Sequence, residues 1–284
     1  MKNKLTLGDL ELFWLDGGMC QFDGGTMFGS VPKILWQKKF PCDQENYVSL
    51  SAWPILVKTP DSLVVIESGL GNKLTDKQRK IFRIREEWRV PEDLKKLGYN
   101  REDVDFVILT HYDWDHSAGV VMQDSGGVEL TFPYAKHILQ KKEWEDALNP
   151  NRRSANTYWQ VNIGALKESG KLELVEGEME IVRGISVLPT GGHTAGHQII
   201  SMKSGNEEAL HLGDLLPTHA HFNPLWLTAY DNFPLDSIRM KEQYENIGLS
   251  HGAWFTSYHD AEFPACKFDE KGNIVDSLPK MMIP

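Results

Sequence analysis

The chain has 284 residues, of which 41% are hydrophobic and 25% are charged, and this composition is typical of a globular protein with a well-buried core. The formal net charge of −10 argues against a surface that binds nucleic-acid phosphates and against attraction to anionic membranes. The three cysteines, Cys20, Cys42 and Cys266, lack C-x-x-C spacing, which argues against a disulfide framework and against a thiolate metal site.

Strands and helices are both predicted in the first part of the chain. Apolar runs predict strands over 10–16, 52–60 and 61–69. The charged stretch at about 75–89 is predicted to be helical. A second helix is predicted over 91–99, because proline favours the first turn of a helix and glycine its end. The fully apolar run at 104–110 predicts a buried strand.

The rest of the chain continues this alternation and then becomes rich in strands. A strand at 135–140 precedes a helix at 141–148 and a helix within 152–169. Further strands are predicted over 171–176, 185–190, 197–203, 208–214 and 253–259, with a helix near 236–247. This order predicts an α/β fold in which two sheets pack together and the helices lie outside them.

The start of the chain shows no sign of export. Its first residues, MKNKLTLGDLELFWLDGG, carry two lysines, but acidic residues interrupt the apolar ones. No stretch approaches the roughly 20 apolar residues of a membrane span. We therefore expect a cytoplasmic protein without a membrane or nucleic-acid partner.

A cluster of potential metal ligands directly follows the strand at 104–110. The sequence His111-Tyr112-Asp113-Trp114-Asp115-His116 offers two imidazoles and two carboxylates in one loop. Taken alone, this loop could equally be a solvated polar turn. Three later strand ends each carry one more potential ligand, namely His193, Asp214 and His259. If these strand ends converge, the sequence predicts a site for two metal ions with Asp214 able to bridge them.

The order and spacing of these segments resemble the metallo-β-lactamase superfamily. Its H-x-H-x-D-H loop corresponds to residues 111–116, and its later ligands correspond to His193, Asp214 and His259. The resemblance extends over residues 50–262. It implies an αββα four-layer sandwich with a dinuclear metal site at one edge of the two sheets. Residues 1–49 are then an N-terminal arm and first strand of a single domain over 1–284.

The resemblance also implies which residues bind each metal. The first metal would be bound by His111, Asp113 and His193, the second by Asp115, His116 and His259, with Asp214 shared. Asp113 departs from the family pattern, because it replaces the middle histidine of the motif. Zinc is the expected metal at both sites, although an oxygen donor at position 113 also suits manganese or iron at the first site.

Two further stretches resemble the lactonase-like branch, which includes acyl-homoserine lactonases and broad lactonase/organophosphate hydrolases. They are residues 24–40 and the sequence around His259. This implies a hydrolase that opens a lactone or a related ester by attack of a metal-bridging hydroxide. Asp115 is the candidate to carry a proton to the departing alkoxide. Pro217 departs from the best-known homoserine lactonases, which have a tyrosine at this place.

Two other functions remain open. Some superfamily members have a carboxylate at the second motif position and use diiron centres, so a diiron oxidoreductase or oxygenase is the alternative. A binding protein with a degenerate metal site is a third interpretation, and the seven potential ligands argue against it.

The long loop at 217–234 is expected to shape a site for a small ester or lactone. His219 or His221 is a candidate to hydrogen-bond the substrate carbonyl, and Tyr230 is a further catalytic candidate. An apolar wall is predicted from Phe222, Leu225, Trp226 and Tyr230. Apolar residues of the arm are interpreted as core or homodimer contacts, with a pocket wall as the alternative; they are Met27, Phe28, Val31, Ile34, Leu35 and Trp36.

The remaining histidines and one glutamate receive structural interpretations. We expect His137, His197, His211 and His251 to be ordinary structural residues. Glu67 stands before a Ser-Gly turn, where the superfamily usually has Asp. It is interpreted either as an acceptor that orients a ligand histidine or as part of a surface loop.

Overall fold

Residues 4–278 are described by a computed structural model, so residues 1–3 and 279–284 of the predicted domain lie outside the described part. The strands, in chain order, are β1 Lys4–Leu7, β2 Leu10–Trp14, β3 Met19–Asp23, β4 Tyr47–Ser51, β5 Ile55–Lys58, β6 Leu63–Ile66, β7 Phe106–Ile108, β8 Val121–Asp124, β9 Gly127–Leu130, β10 Lys136–Gln140, β11 Leu172–Val175, β12 Met179–Val182, β13 Ile185–Pro189, β14 Gln198–Ser204, β15 Glu207–His211, β16 Trp254–Thr256, β17 Ala265–Phe268 and β18 Ile274–Ser277. The helices are α1 Gly24–Phe28, α2 Lys33–Trp36, α3 Asp76–Ile81, α4 Val90–Lys96, α5 Trp114–Ser117, α6 Lys141–Leu148, α7 Gln160–Ser169 and α8 Pro234–His251.

Two seven-stranded sheets carry the fold. The first has the order β1-β2-β5-β6-β7-β10-β11, and the second has the order β12-β13-β14-β15-β16-β17-β18. Parallel pairing joins β6 to β7, β7 to β10 and β10 to β11 in the first sheet, and β15 to β16 in the second. The hairpins β3–β4 and β8–β9 stand outside these sheets.

The sheets pack face to face, and helices cover both outer faces. Ile55, Val57 and Ile200 belong to the cluster between the sheets. Helices α4, α6 and α7 pack on the outer face of the first sheet, and α8 packs on the outer face of the second through Met240 and Tyr244. The predicted αββα four-layer sandwich is therefore confirmed.

The central strands are apolar on both sides because both of their faces are buried. In β5, Ile55 and Val57 face the second sheet, whereas Leu56 faces the helices on the outer side. The same division separates Val64 and Val65 in β6. Burial on both faces explains why these strands appear in the sequence as continuous apolar runs without polar alternation.

The helix predicted over 75–89 is wrong beyond its first half. Thr75 and Gln78 form a capping box that starts α3, but this helix ends at Ile81. Arg83 then takes a left-handed backbone conformation with φ of 46°. The following residues run along β3 instead, where the Gln21 N–H donates to the Phe82 carbonyl over 3.0 Å. Pairing with another segment has overridden a local helical preference.

The N-terminal region contributes to the sandwich as well as to an arm. β1 and β2 form one edge of the first sheet, and β17 and β18 extend the second sheet beyond residue 262. In the arm, Met27, Phe28 and Trp36 are buried in a cluster near the metal ligands. This favours the core interpretation for these three residues. Ile34 and Leu35 are exposed, so a homodimer contact through them stays a prediction.

The longest helix of the described residues is α8, which has 18 residues. Between residues 4 and 278, no helix combines the length and apolar character needed to cross a bilayer.

Gly119 is the point where the loop after the ligand cluster presses against the end of β6. A Cβ atom at this position would lie 1.9 Å from the Ser68 carbonyl oxygen, so the backbone would have to move. We predict that Gly119→Ala lowers the free energy of unfolding by about 1–3 kcal/mol, as overpacking does elsewhere. Thermal unfolding measures this effect.

Gly126→Ala is the matched control for this measurement. No atom lies within 4 Å of its added Cβ, and its backbone is not left-handed. Equal melting temperatures for the two variants would contradict the close approach at Gly119.

Candidate metal centre

Four loop segments bring the predicted ligands together at one edge of the sandwich. Residues 111–116 follow β7, His193 follows β13, Asp214 follows β15 and His259 follows β16. Two groups of ligand atoms result, each within 4.8 Å: His111, His193 and Asp214 form the first group, and Asp115, His116 and His259 form the second.

The Asp214 carboxylate lies between the two groups. Its Oδ2 is 3.4 Å from Nε2 of His193, in the first group. Its Oδ1 is 3.2 Å from Nε2 of His116 and 3.4 Å from Nε2 of His259, in the second group. Each oxygen therefore faces a different group, which is the arrangement that a bridging carboxylate needs.

The histidine spacing in the second group fits a single ion. Nε2 of His116 and Nε2 of His259 are 3.1 Å apart. Two nitrogen ligands of one tetrahedral zinc ion lie about 3.3 Å apart when both metal–nitrogen distances are about 2.0–2.1 Å. Asp115 completes this group, with Oδ2 3.6 Å from Nε2 of His259.

The Asp113 carboxylate points toward the first group. Its Oδ2 is 3.8 Å from Nε2 of His111 and 3.6 Å from Nε2 of His193. Its other oxygen is buried without a hydrogen-bond partner among the described residues. The carboxylate is thus close enough to contribute to a first metal site.

Unpartnered polar atoms at this centre test whether the residues fit metal ions. Nε2 of His111, Oδ1 of Asp113 and Oδ1 of Asp214 are buried and make no hydrogen bond to any described residue. Buried polar atoms without partners are costly and uncommon. Imidazole nitrogens and carboxylate oxygens are the donors that zinc, manganese and iron accept. The residues therefore fit a dinuclear metal centre.

Protonation at the centre follows from burial and from neighbouring charge. Burial and the adjacent imidazoles hold the pKa of His111 well below its usual value, which keeps the ring neutral as a metal ligand requires. Burial opposes ionisation of Asp214, but the histidines around it hold the pKa of its carboxyl group well below the usual range. Burial raises the pKa of Asp115.

Glu67 lies beside the His116 ring, outside the ligand set. It is fully buried, so its interpretation as a surface-loop residue is wrong. Its Oε1 lies 3.3 Å from Nδ1 of His116, accepts hydrogen bonds from the N–H and Oγ1 of Thr110, and lies 3.6 Å from Nε2 of His211. Its backbone has φ of 62°, a conformation that costs energy outside glycine and is held here by these contacts.

His193 and His259, one from each group, have their second ring nitrogen held by a hydrogen bond to a neighbour. Nδ1 of His193 donates to Oδ1 of Asp231 over 2.8 Å, and Nδ1 of His259 donates to the Ser51 carbonyl over 2.9 Å. Contacts of this kind fix the ring orientation of metal-binding histidines. Asp231 lies in the loop at 217–234, where the sequence shows no signal that separates it from other surface carboxylates.

Glu143 connects the two loops that carry the first group of ligands. It accepts hydrogen bonds from the Tyr112 N–H at 2.9 Å and from the Thr194 hydroxyl at 2.6 Å, and these residues adjoin His111 and His193 in the chain. Burial raises the pKa of its carboxyl group to about 7. Its place inside the ordinary helix α6 gave no sequence signal for this contact.

An open cleft of about 660 Å³ leads to the metal centre. Asp113, Asp115, His193 and Asp214 line its inner end, and Tyr230 is the residue of the predicted apolar wall that lines it. The other three residues of the predicted apolar wall do not line the cleft. Phe222 stacks on Phe268 in the core, Trp226 packs edge-on against Phe28, and Leu225 is exposed outside the lining.

The aromatic wall of the cleft comes mainly from segments that the sequence did not indicate. Phe82 stacks on Trp114 with ring centroids 4.1 Å apart, and Trp114 stacks on Trp159 at 5.0 Å. Phe22 lies next to this stack and 6.2 Å from the Tyr230 ring. Trp114 lies inside the ligand motif, and this position is the sequence feature from which an aromatic wall beside the metal ligands could have been predicted.

His219 and His221 do not line the cleft. Nδ1 of His219 lies 2.5 Å from Oδ2 of Asp260, and its Nε2 lies 3.2 Å from the Lys39 carbonyl. His221 is fully buried and donates from Nε2 to the Met27 carbonyl over 2.8 Å. Both rings thus hold the arm against the loop at 217–234, and neither faces the predicted substrate site.

An αββα sandwich with two adjoining groups of imidazole and carboxylate side chains at its edge is the architecture of a metal-binding protein. The family model of the metallo-beta-lactamase superfamily matches residues 50–242. The chain therefore belongs to this superfamily.

Relatives with known descriptions agree with this assignment. A probable metal-dependent hydrolase from Staphylococcus aureus is 38% identical, with a TM-score of 0.94 over 99% of this chain and 100% of that one. An N-acyl homoserine lactonase from a Bacillus species is 28% identical over 201 residues, and the match covers 68% of this chain and 70% of the relative. One relative is thus described as a probable metal-dependent hydrolase and the other as a lactonase, and we assign the chain to the metal-dependent hydrolases.

A more distant structure shares the fold. The dizinc quorum-quenching lactonase AidC, solved with a product, is 19% identical, with a TM-score of 0.80 over 99% of this chain and 98% of that one. At this identity the likeness shows the fold alone.

Glu143 generates a test of how the first group of ligands is positioned. We predict that Glu143→Gln weakens metal binding about tenfold or more, the usual effect of losing an outer contact, because one amide oxygen replaces a carboxylate that serves two loops. Metal content after dialysis against a chelator measures this loss. Glu145→Gln, an exposed position on the same helix, is the control. Equal metal retention in both variants would remove Glu143 from this role.

Proposed function

We propose that this enzyme opens a lactone or a related ester with the help of two divalent metal ions. The observation that carries the proposal is the Asp214 carboxylate, whose oxygens face two ligand groups at the inner end of an open cleft. His111, Asp113 and His193 would hold the first ion, Asp115, His116 and His259 the second, and Asp214 both. Zinc is the expected metal, with manganese or iron as alternatives at the first site.

The ions and the side chains divide the chemistry between them. Two divalent ions held by these residues would supply a hydroxide nucleophile at neutral pH and Lewis acidity toward the substrate carbonyl. Asp115 lines the inner end of the cleft, so its carboxylate can take the proton of the nucleophile and pass it to the departing alkoxide. In a lactone this alkoxide stays tethered to the product.

Tyr230 is our candidate for orienting the substrate. Its hydroxyl donates to the Thr26 hydroxyl over 3.0 Å, and both residues line the cleft. This pair can turn toward a carbonyl or ring oxygen, whereas His219, the other catalytic candidate, is held by Asp260. Phe22, Phe82 and Trp114 then contact the apolar part of the ester.

The relatives support this substrate class at the level of their own descriptions. Acyl-homoserine lactones are the substrates named for the Bacillus relative. For this chain we propose only the opening of a cyclic ester and not a particular acyl-homoserine lactone, because substrate choice depends on the residues that line this chain's own cleft.

Hydrolysis of a series of γ-lactones with increasing alkyl length tests the proposal. We predict that KM falls with chain length, by at most about 0.8 kcal/mol for each buried methylene, because the chain packs on the aromatic wall. Trp114→Ala should flatten this profile, and Tyr134→Ala, which removes an exposed ring outside the cleft, should not.

Two results would count against this function. A wild-type enzyme loaded with metal that opens no lactone would contradict it directly. Iron at both sites, with the visible absorption band of a diiron centre, would favour the diiron oxidoreductase alternative.

Asp113 generates a separate prediction about metal selection. Its carboxylate is a harder donor than imidazole and lies 3.6 Å or more from the nearest ligand nitrogens. We predict that Asp113→His retains zinc at the first site more firmly against a chelator than the wild-type protein does. Asp124→His, an added histidine on an exposed strand, controls for non-specific binding. Equally firm retention of two zinc ions by the wild type would show that Asp113 does not weaken the site.

A further inference from the structure

The cleft has a second, polar surface in addition to its aromatic wall. This surface consists of Arg153, Asn156, Thr157 and Asn232, which line the same cleft as the metal ligands. The side chains of Asn156, Thr157 and Asn232 make no hydrogen bond to any other residue in the described range 4–278. An alkyl chain would leave these polar groups without a partner.

Arg153 is held in place on this surface with part of its guanidinium group free. The Asn151 side chain accepts hydrogen bonds from the N–H groups of Arg153 and Ser154, at 2.8 Å and 3.1 Å, and so orders the turn that presents the arginine. Nη2 donates to the carbonyl of Ala229 and lies 3.3 Å from the carbonyl of Asp231. Among the described contacts, Nη1 and Nε form no hydrogen bond.

No carboxylate within the described residues pairs with Arg153, although acidic residues outnumber basic ones by 40 to 30 in the chain. Other arginines, such as Arg83 and Arg89, do form ion pairs with aspartate and glutamate. Asp23 also lines the cleft, but its oxygens accept from two backbone N–H groups of α1 and from the Asn46 side chain.

The remaining cleft carboxylates are metal ligands. Asp113, Asp115 and Asp214 would be neutralised by two divalent ions at the centre. Among the described residues that line the cleft, Arg153 is therefore the only arginine or lysine. Its charge is left without a counter-ion inside the cleft.

We propose that Arg153 binds an oxyanion, either a carboxylate or a phosphate, that the substrate carries apart from its scissile ester. Guanidinium presents several N–H donors in a planar fork that matches both of these groups. The preferred substrate is then amphipathic, with an apolar part on the aromatic wall and an anionic substituent on the polar surface. This inference rests on the proposed function for the identity of the reacting ester.

Three lactones of equal length test the proposal. They are γ-nonalactone, the analogue with a carboxylate in place of the terminal methyl group, and the analogue with a terminal phosphate monoester. We expect one anionic analogue to exceed the neutral lactone in kcat/KM by about tenfold or more, the effect of one charge-assisted hydrogen-bonded pair. The larger ratio identifies the carboxylate or the phosphate as the group recognised.

Variants then assign the preference to Arg153. Arg153→Met should lower the ratio of anionic to neutral kcat/KM by about tenfold or more, and Arg152→Met, which lies outside the cleft lining, should leave it unchanged. A ratio near one in the wild-type enzyme would overturn the proposal. So would an equal loss on both substrates in Arg153→Met, because that result describes a residue that only fastens the loop at 229–231.

A binding measurement keeps this inference separate from the proposed function. Octanedioate and octanoate are titrated into the metal-loaded protein, and quenching of tryptophan fluorescence reports occupancy of the cleft beside Trp114. We expect octanedioate to bind about tenfold or more tightly in the wild type, and this advantage to disappear in Arg153→Met. An equal advantage in both proteins overturns the anion site even if neutral lactones are hydrolysed. A lost advantage supports the site even if no lactone is opened.

Discussion

The position of Asp214 between two sets of imidazoles is the constraint on which the rest of the site depends. Its oxygens lie 3.2–3.4 Å from ring nitrogens in both sets. So many buried donor and acceptor atoms in contact are costly unless two requirements are met. The inner requirement is that cations between these atoms satisfy them, and the outer requirement is that fixed partners around the ligands hold their orientation. The inner requirement predicts metal ions. The outer requirement explains why Glu67, Asp231 and Glu143 are buried carboxylates, a placement that would be unfavourable without these contacts.

The sandwich delivers this arrangement because both sheets end at the same edge. Strands β7 and β15 are buried on both faces, so the loops that leave them begin from fixed points. Close backbone packing then fixes the loops themselves. At Gly196 a Cβ atom would lie 2.1 Å from the backbone nitrogen of Glu143, which leaves room only for glycine where the His193 loop meets α6. Because the backbones are this close, the Glu143 side chain reaches hydrogen-bond partners in both loops that carry the first group.

The fold and the clustered ligands could be predicted from sequence because their signals are local. Apolar runs indicate buried strands, and residues 111–116 concentrate four potential ligands within six positions. Glu143 and Asp231 could not be found in this way, since each acts on a loop more than 30 residues distant. The helix predicted at 75–89 was wrong for a related reason: its second half pairs with β3, and local charge pattern contains no information about that partner. His219 was predicted to be catalytic from its position in the loop. That position cannot show that the ring is already hydrogen-bonded to Asp260.

Trp114 connects the loop of potential metal ligands to the aromatic wall of the cleft. It lies between Asp113 and Asp115, one from each predicted ligand set, and its ring is stacked between Phe82 and Trp159. Such aromatic contacts contribute about 0.5–1.5 kcal/mol each beyond their buried area. Phe82 in turn is fixed by backbone pairing to Gln21 and by the ion pairs of its neighbour Arg83. The cleft wall is thus built on the metal-binding loop itself, so a substrate that packs against Trp114 presses on the backbone that positions ligands of both metals. Under the proposed function, a change at Trp114 is therefore expected to alter the aromatic wall and the metal-binding loop together.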